Sequence, residues 1–147
     1  MKILIANDHR GINLKNKILN YLTKNNYNVE NLGTDSMDSV DYPNLAFNLS
    51  KKIDDSTIGI LICATGIGMS IASNKVKGVR CAKVSSVEEA KLARLHNNAN
   101  VIALSSNLST IKAKKIVKTF IETKFSEDNR HKRRIEIIDA YERSNNA

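Results

Sequence analysis

The sequence predicts an α/β fold: a five-stranded parallel sheet covered by helices, closed by a C-terminal helix. Three observations carry this. Apolar β-branched runs alternate about five times with segments of helical period, the pattern of βαβ units. The middle run, Ile58-Gly59-Ile60-Leu61-Ile62-Cys63, is continuously apolar, as suits a strand buried on both faces. Finally, the 147 residues contain one proline and no linker or low-complexity tract, so the pattern belongs to a single domain spanning 1–147.

The elements follow in order. Lys2-Ile3-Leu4-Ile5-Ala6 reads as the first strand (2–6), and Leu14, Ile18 and Leu22 set a helical stripe over 12–25. A second strand is expected at 28–32. The lone Pro43, just after Asp41-Tyr42, stands where a helix begins, and Leu45, Leu49 and Ile53 supply its apolar face. After the central strand (58–63), Gly66 and Gly68 open another helix; strands at 79–84 and 100–104 flank a helix that stops in Arg94-Leu95-His96-Asn97-Asn98. The clearest helical period is 109–124, with Ala113, Ile116, Val117, Phe120 and Ile121 on one face. The last helix, 128–144, carries Ile135, Ile138 and Tyr141 on one stripe and Arg130 and Arg134 four residues apart on another.

Composition narrows the function classes. No apolar run approaches the ~20 residues of a membrane span, and Met1 leads directly into a strand with no charged leader or cleavage site, so a cytoplasmic protein is expected. The net charge of +8 raises nucleic-acid binding, but the lysines are scattered and only 5% of the chain is aromatic. Solvated helix faces account for the charge, and no nucleic-acid partner is expected. Cys63 and Cys81 fit neither a redox pair nor a zinc spacing; Cys81 reads as a small core residue.

In parallel sheets ligands bind beyond the carboxyl ends of the strands. Three loops stand there: Asn7-Asp8-His9-Arg10-Gly11, Cys63-Ala64-Thr65-Gly66-Ile67-Gly68 and Ser105-Ser106-Asn107. The second could hold an anion on backbone N–H groups at a helix start. It is not a dinucleotide fingerprint, which needs glycine at Ile71, nor a P-loop, nor a phosphatase loop, which needs arginine at Met69. What survives is a thiol where a helix start favours its ionised form, so Cys63 is either a general base or an inert strand-end cysteine. His96 is likewise either a helix cap or a group that moves protons near neutral pH. Arg130 and Arg134 either clamp a phosphate or are solvated charges.

Taken together, Asp8-His9-x-Gly11, Asp41-Tyr42-Pro43, Cys63 to Gly68, Ala72-Ser73-Asn74-Lys75, Arg94-Leu95-His96-Asn97 and Arg130-His131-x-x-Arg134 resemble the ribose-5-phosphate isomerase B family, which includes the subunits of galactose-6-phosphate isomerase. The likeness covers essentially the whole chain. It implies a Rossmann-like α/β/α fold, no metal or organic cofactor, and a homodimer, or a dimer of dimers, with active sites shared between subunits. It further implies a sugar-phosphate substrate and these roles. Cys63 carries a proton from C2 to C1 through an enediolate, Thr65 moves protons between the two oxygens, the backbone N–H groups of Gly66, Ile67 and Gly68 hold the oxyanion, and Ala64 lines the substrate site. His96, helped by Asp8, opens the sugar ring. Tyr42 and Asn97 bind the sugar, while His9, Arg130 and Arg134 hold the phosphate.

Members with a glutamate base carry it where this chain has Met69, which places the chain with the cysteine branch. Two departures stand out, Ala64 for a usual glycine and Asn107 for a usual phosphate-binding arginine. Ribose 5-phosphate is the expected substrate; a hexose 6-phosphate (allose or galactose), or a non-catalytic sugar-phosphate-binding subunit, are the alternatives.

Overall fold

The computed structural model describes residues 1–145. Its elements are β1 (Lys2–Asn7), a 3-10 turn (His9–Gly11), α1 (Ile12–Lys24), β2 (Asn28–Asn31), α2 (Tyr42–Ser50), β3 (Thr57–Cys63), α3 (Ile67–Ser73), β4 (Cys81–Lys83), α4 (Val87–Asn97), β5 (Val101–Ser105), α5 (Thr110–Glu122) and α6 (Asn129–Asn145). All strand pairs are parallel, in the order β2-β1-β3-β5-β4, so the apolar run at 57–63 is the central strand, as its composition predicts.

Strand alternation sorts the side chains into two cores. Ile3, Ile5, Ile60, Ile62, Ile102 and Leu104 face α1, α4 and α5, meeting Leu14, Ile18 and Leu22 and then Ala113, Ile116, Val117 and Phe120. Leu4, Ala6, Leu61, Cys63 and Ala103 face the other way, onto Ala46 and Leu49 of α2 and Met69 and Ala72 of α3. Each fully buried Leu or Ile contributes about 1.5–3 kcal/mol, and both faces of the sheet are thereby covered. Between α2 and α3 the buried Ser50 and Ser73 hydroxyls satisfy each other at 2.6 Å.

Expected and observed boundaries differ by one or two residues at most places. The fourth strand is the exception, three residues rather than six, because Arg80 N–H leaves the ladder and donates to Asn100 Oδ1 (2.8 Å). Pro43 lies in the first turn of α2, where its missing N–H costs nothing. The stripe on the last helix packs only in part on its own chain: Ile135 is half-buried, Ile138 and Tyr141 are exposed, and His131 is the buried residue of α6. No helix among the described residues is long and apolar enough to cross a membrane.

Candidate active site

The carboxyl ends of β1, β3 and β5 converge as the sequence predicts. Asp8 N–H donates to Ile62 O (3.1 Å), Ser106 N–H to Cys63 O (2.8 Å) and Ser105 Oγ to Ala64 O (2.8 Å). Cys63, the last residue of β3, is buried on the α2/α3 face of the sheet. The chain then turns through Gly66, whose φ of +83° lies in the left-handed region. A Cβ there would also meet the Leu104 carbonyl carbon at 3.0 Å, so glycine is required on both counts.

This turn aims the Gly66 N–H at Cys63 Sγ (3.1 Å), a donor that supports negative charge on sulfur. The Ile67 N–H is directed onto Thr65 Oγ1 (3.1 Å). Two of the donors expected to face an oxyanion are therefore bonded within the loop, to the two side chains expected to move protons. Thr65 and Ile67 are exposed, Ala64 and Gly68 partly so. Tyr42 lies against Gly68 so closely that a Cβ there would stand 2.7 Å from its ring, which fixes the start of α2 beside the Cys63 loop. Met69 points into the core, away from this edge.

Asp8 does the capping its position suggests, with Oδ1 accepting from Arg10 N–H (2.9 Å) and Gly11 N–H (3.2 Å) while the residue stays nearly buried. His9 Nδ1 accepts from Val40 N–H (3.4 Å), joining the 3-10 turn to the loop between β2 and α2. Two residues behind this edge escape a motif-based reading. Asn7 is fully buried and donates through Nδ2 to Asp8 O (2.8 Å) and Thr34 O (3.0 Å). Lys15 is fully buried and pairs with Asp35 and Thr34 O, clamping the same loop onto α1. Their signals were there: Asn7 ends an apolar strand in a polar side chain, and Lys15 lies on the stripe of Ile18 and Leu22.

The other predicted residues gather elsewhere. His96 and Asn97 occupy the last turn of α4, and His96 stacks on His131 of α6 with ring centres 4.4 Å apart. Arg130 and Arg134 are exposed on α6, and neither makes an ion pair among the described residues. Arg80 ties this corner together: its guanidinium donates to Asn97 O and Asn98 O (3.0–3.2 Å) and faces Asp139 at 3.6 Å. Arg94 anchors the helix end from inside, donating to Thr123 O (3.0 Å), Asn98 Oδ1 (2.9 Å) and Ala99 O (2.6 Å). Burial first, and the Arg80 charge second, hold its guanidinium below the usual arginine range.

Topology keeps these two groups apart. Asn100, tied to Arg80 beside the end of α4, accepts the Gly59 N–H (2.9 Å). Gly59 lies four residues before Cys63 on β3, about 13 Å at the rise of a parallel strand. A helix that precedes a parallel strand must end at that strand's amino end. One chain therefore carries a strand-end group (Asp8, His9, Tyr42, Cys63, Thr65) and a helix-end group (His96, Asn97, Arg130, Arg134) at opposite edges of the sheet. A cleft of about 460 Å³ beside the latter is lined by Cys81, Asn97 and Ile138. Among the described residues no three His, Cys, Asp or Glu side chains cluster as a metal ion would require.

Comparison with known proteins identifies a family. The model of the Ribose/Galactose Isomerase family matches residues 3–138. The chain belongs to this family. A curated relative from Mycoplasma genitalium, a probable ribose-5-phosphate isomerase B, is 46% identical over 146 residues, covering 96% of this chain and 95% of that protein. The solved ribose-5-phosphate isomerase B of Mycoplasma genitalium with bound ribulose 5-phosphate superposes with a TM-score of 0.93 at 44% identity, covering 97% of this chain and 96% of that one. The Thermotoga maritima ribose-5-phosphate isomerase aligns with a TM-score of 0.90 at 44% identity, over 95% of this chain and 97% of that one. The Rossmann-like α/β/α fold implied by the sequence motifs is thus the family's fold.

Proposed function

We propose that this isomerase-family chain interconverts ribose 5-phosphate and ribulose 5-phosphate, with Cys63 as the base. The observation that carries the reading is the Cys63 thiol at the end of the central strand, receiving the Gly66 N–H at 3.1 Å, in a chain without a carboxylate at Met69. The ribulose 5-phosphate held by a relative of 44% identity supports the choice of substrate.

In this reading the thiolate removes the C2 proton of the open-chain aldose, and the electron pair moves to make the enediolate. Thr65 passes a proton between the two oxygens, and the sulfur returns its proton to C1, giving the ketose with no net change in atoms. The loop N–H groups stabilise the negative oxygen where charge develops, Gly68 first because Gly66 and Ile67 are bonded within the loop. Ring opening falls to His96 with Asp8, sugar binding to Tyr42 and Asn97, and phosphate binding to His9, Arg130 and Arg134.

Those roles need both edges of the sheet at one sugar, so we infer that the working unit is a dimer in which each site joins the strand-end group of one chain to the helix-end group of a second copy. Uncovered apolar side chains support this: Ile67 and Ile71 on α3 beside the Cys63 loop, and Ile138 and Tyr141 on α6 beside Arg134. The test is an isomerisation assay of the purified chain with ribose 5-phosphate, allose 6-phosphate and galactose 6-phosphate. Turnover of the pentose phosphate is expected to exceed that of both hexoses. A hexose preference would overturn the substrate, and inactivity toward all three would leave only a binding role.

A further inference from the structure

His131 lies outside the roles given above, yet it is the buried residue of α6 and the partner of His96. The two rings are nearly parallel, 19° apart, with centres at 4.4 Å. Imidazole N–H bonds and lone pairs lie in the ring plane. Rings that meet face to face therefore cannot pass a proton directly between them, and a relay is excluded by the geometry. What the stack can do is fix the plane of His96 and hence the direction of its ring nitrogens.

We propose that His131 is a positioning residue for ring opening: its buried ring is the platform that aims His96 at the substrate's ring oxygen. The inference rests on the reading of His96 as the ring-opening group. The surroundings disfavour positive charge on His131. The groups acting on His131 are His96 of α4, Arg130 and Arg134 of its own helix, and Asp128 just before that helix. Burial first, then His96 and Arg130, push its imidazole below the usual histidine range, with Arg134 adding to this and Asp128 opposing it.

The experiment compares His131→Ala, His131→Phe and His96→Ala in two reactions of the full-length protein. One is turnover of cyclic ribose 5-phosphate. The other is solvent exchange at C1 of ribulose 5-phosphate, which has no ring to open and reports only the proton transfer. His131→Ala is expected to lose about tenfold or more in aldose turnover, the scale of a misaimed catalytic group, with exchange retained within about twofold. His131→Phe, which keeps a flat ring but cannot titrate, should restore most of the turnover and leave its pH profile in place. Equal losses in His131→Phe and His131→Ala, or wild-type turnover in both, would overturn the proposal. Loss of exchange in step with turnover in His96→Ala would instead overturn the role of His96 itself. A circular dichroism melt of His131→Ala shows whether α6 remains folded; if it does not, the His131→Phe kinetics and pH profile decide.

Discussion

The sulfur of Cys63 and that of Cys81 lie on the same side of the sheet in different chemical settings. Burial, stronger here than the opposing bonds from Ser70 and Ser73, pushes the Cys81 thiol up to about 12, which disfavours its reactive thiolate form. Cys63, although the more buried of the two, instead receives the Gly66 N–H at the strand-end edge. Cys63→Ala should therefore lower turnover by about 10²–10⁴-fold, the range of a lost general base, while the fold is kept. Iodoacetamide should inactivate the wild type at Cys63 alone, with sugar phosphate protecting it. Peptide mapping that finds label only on Cys81, or a fast Cys63→Ala enzyme, would remove Cys63 from the chemistry. A second residue-scale prediction concerns Asn107, exposed on the loop after β5 with its N–H on Ser105 Oγ (3.1 Å). Its amide offers no charge where the family resemblance places an arginine. Asn107→Arg should lower KM by about tenfold, the low end of one charge-assisted bond. The phosphate is remote from the reacting carbons, so kcat should change less. An unchanged KM at fixed ionic strength would mean that the phosphate is already fully served.

At the level of elements, what the sequence made legible is what local periodicity encodes. The stripe of α5 and the apolar run of β3 were readable because every residue on them packs against its own chain. The Cys63 loop was readable because two glycines mark a turn whose geometry glycine permits. The stripe of α6 is legible as a pattern but misleads as a packing statement, since Ile138 and Tyr141 remain largely exposed within the chain. For Lys15 and Asn7 the local pattern marks a polar side chain in an apolar setting but not its partner: Asp35 and Thr34 are distant in sequence, and no local signal announces a long-range pair. The docking of α6 through His131 carries its own prediction. The folded imidazole is held below its ordinary value of 6.5, so between those two values the unfolded chain binds a proton that the folded chain does not. Stability is then complete above about 6.5 and declines as pH falls toward the folded value. Melting temperature should drop on acidification through this window, and His131→Phe should flatten that part of the curve. An identical slope in the two proteins would show that His131 does not titrate on unfolding.

For the whole molecule, the decisive feature is a consequence of chain direction that single motifs do not display. Every strand of the sheet is parallel, so the loops after β1, β3 and β5 share one edge, and the end of α4 must lie at the other. The sequence therefore revealed both groups of site residues while leaving their separation of about 13 Å or more to the topology. If a symmetric pair of chains closes each site, complementation between two defective variants measures it directly. Cys63→Ala and His96→Ala chains are each expected to be slow, because every site in either homodimer lacks one group. After unfolding and refolding of an equal mixture, half of the dimers should be mixed. In a mixed dimer one site combines both defects, and the other combines an intact Cys63 with an intact His96. About a quarter of wild-type activity should then return, half of the sites in half of the dimers. Sites built within single chains would give only the average of the two variants, since no exchange of partners could reunite the groups. Refolding each variant alone sets the baseline, and sedimentation of the mixture establishes that dimers have formed; a mixture that forms dimers yet stays at that average would rule out the shared site.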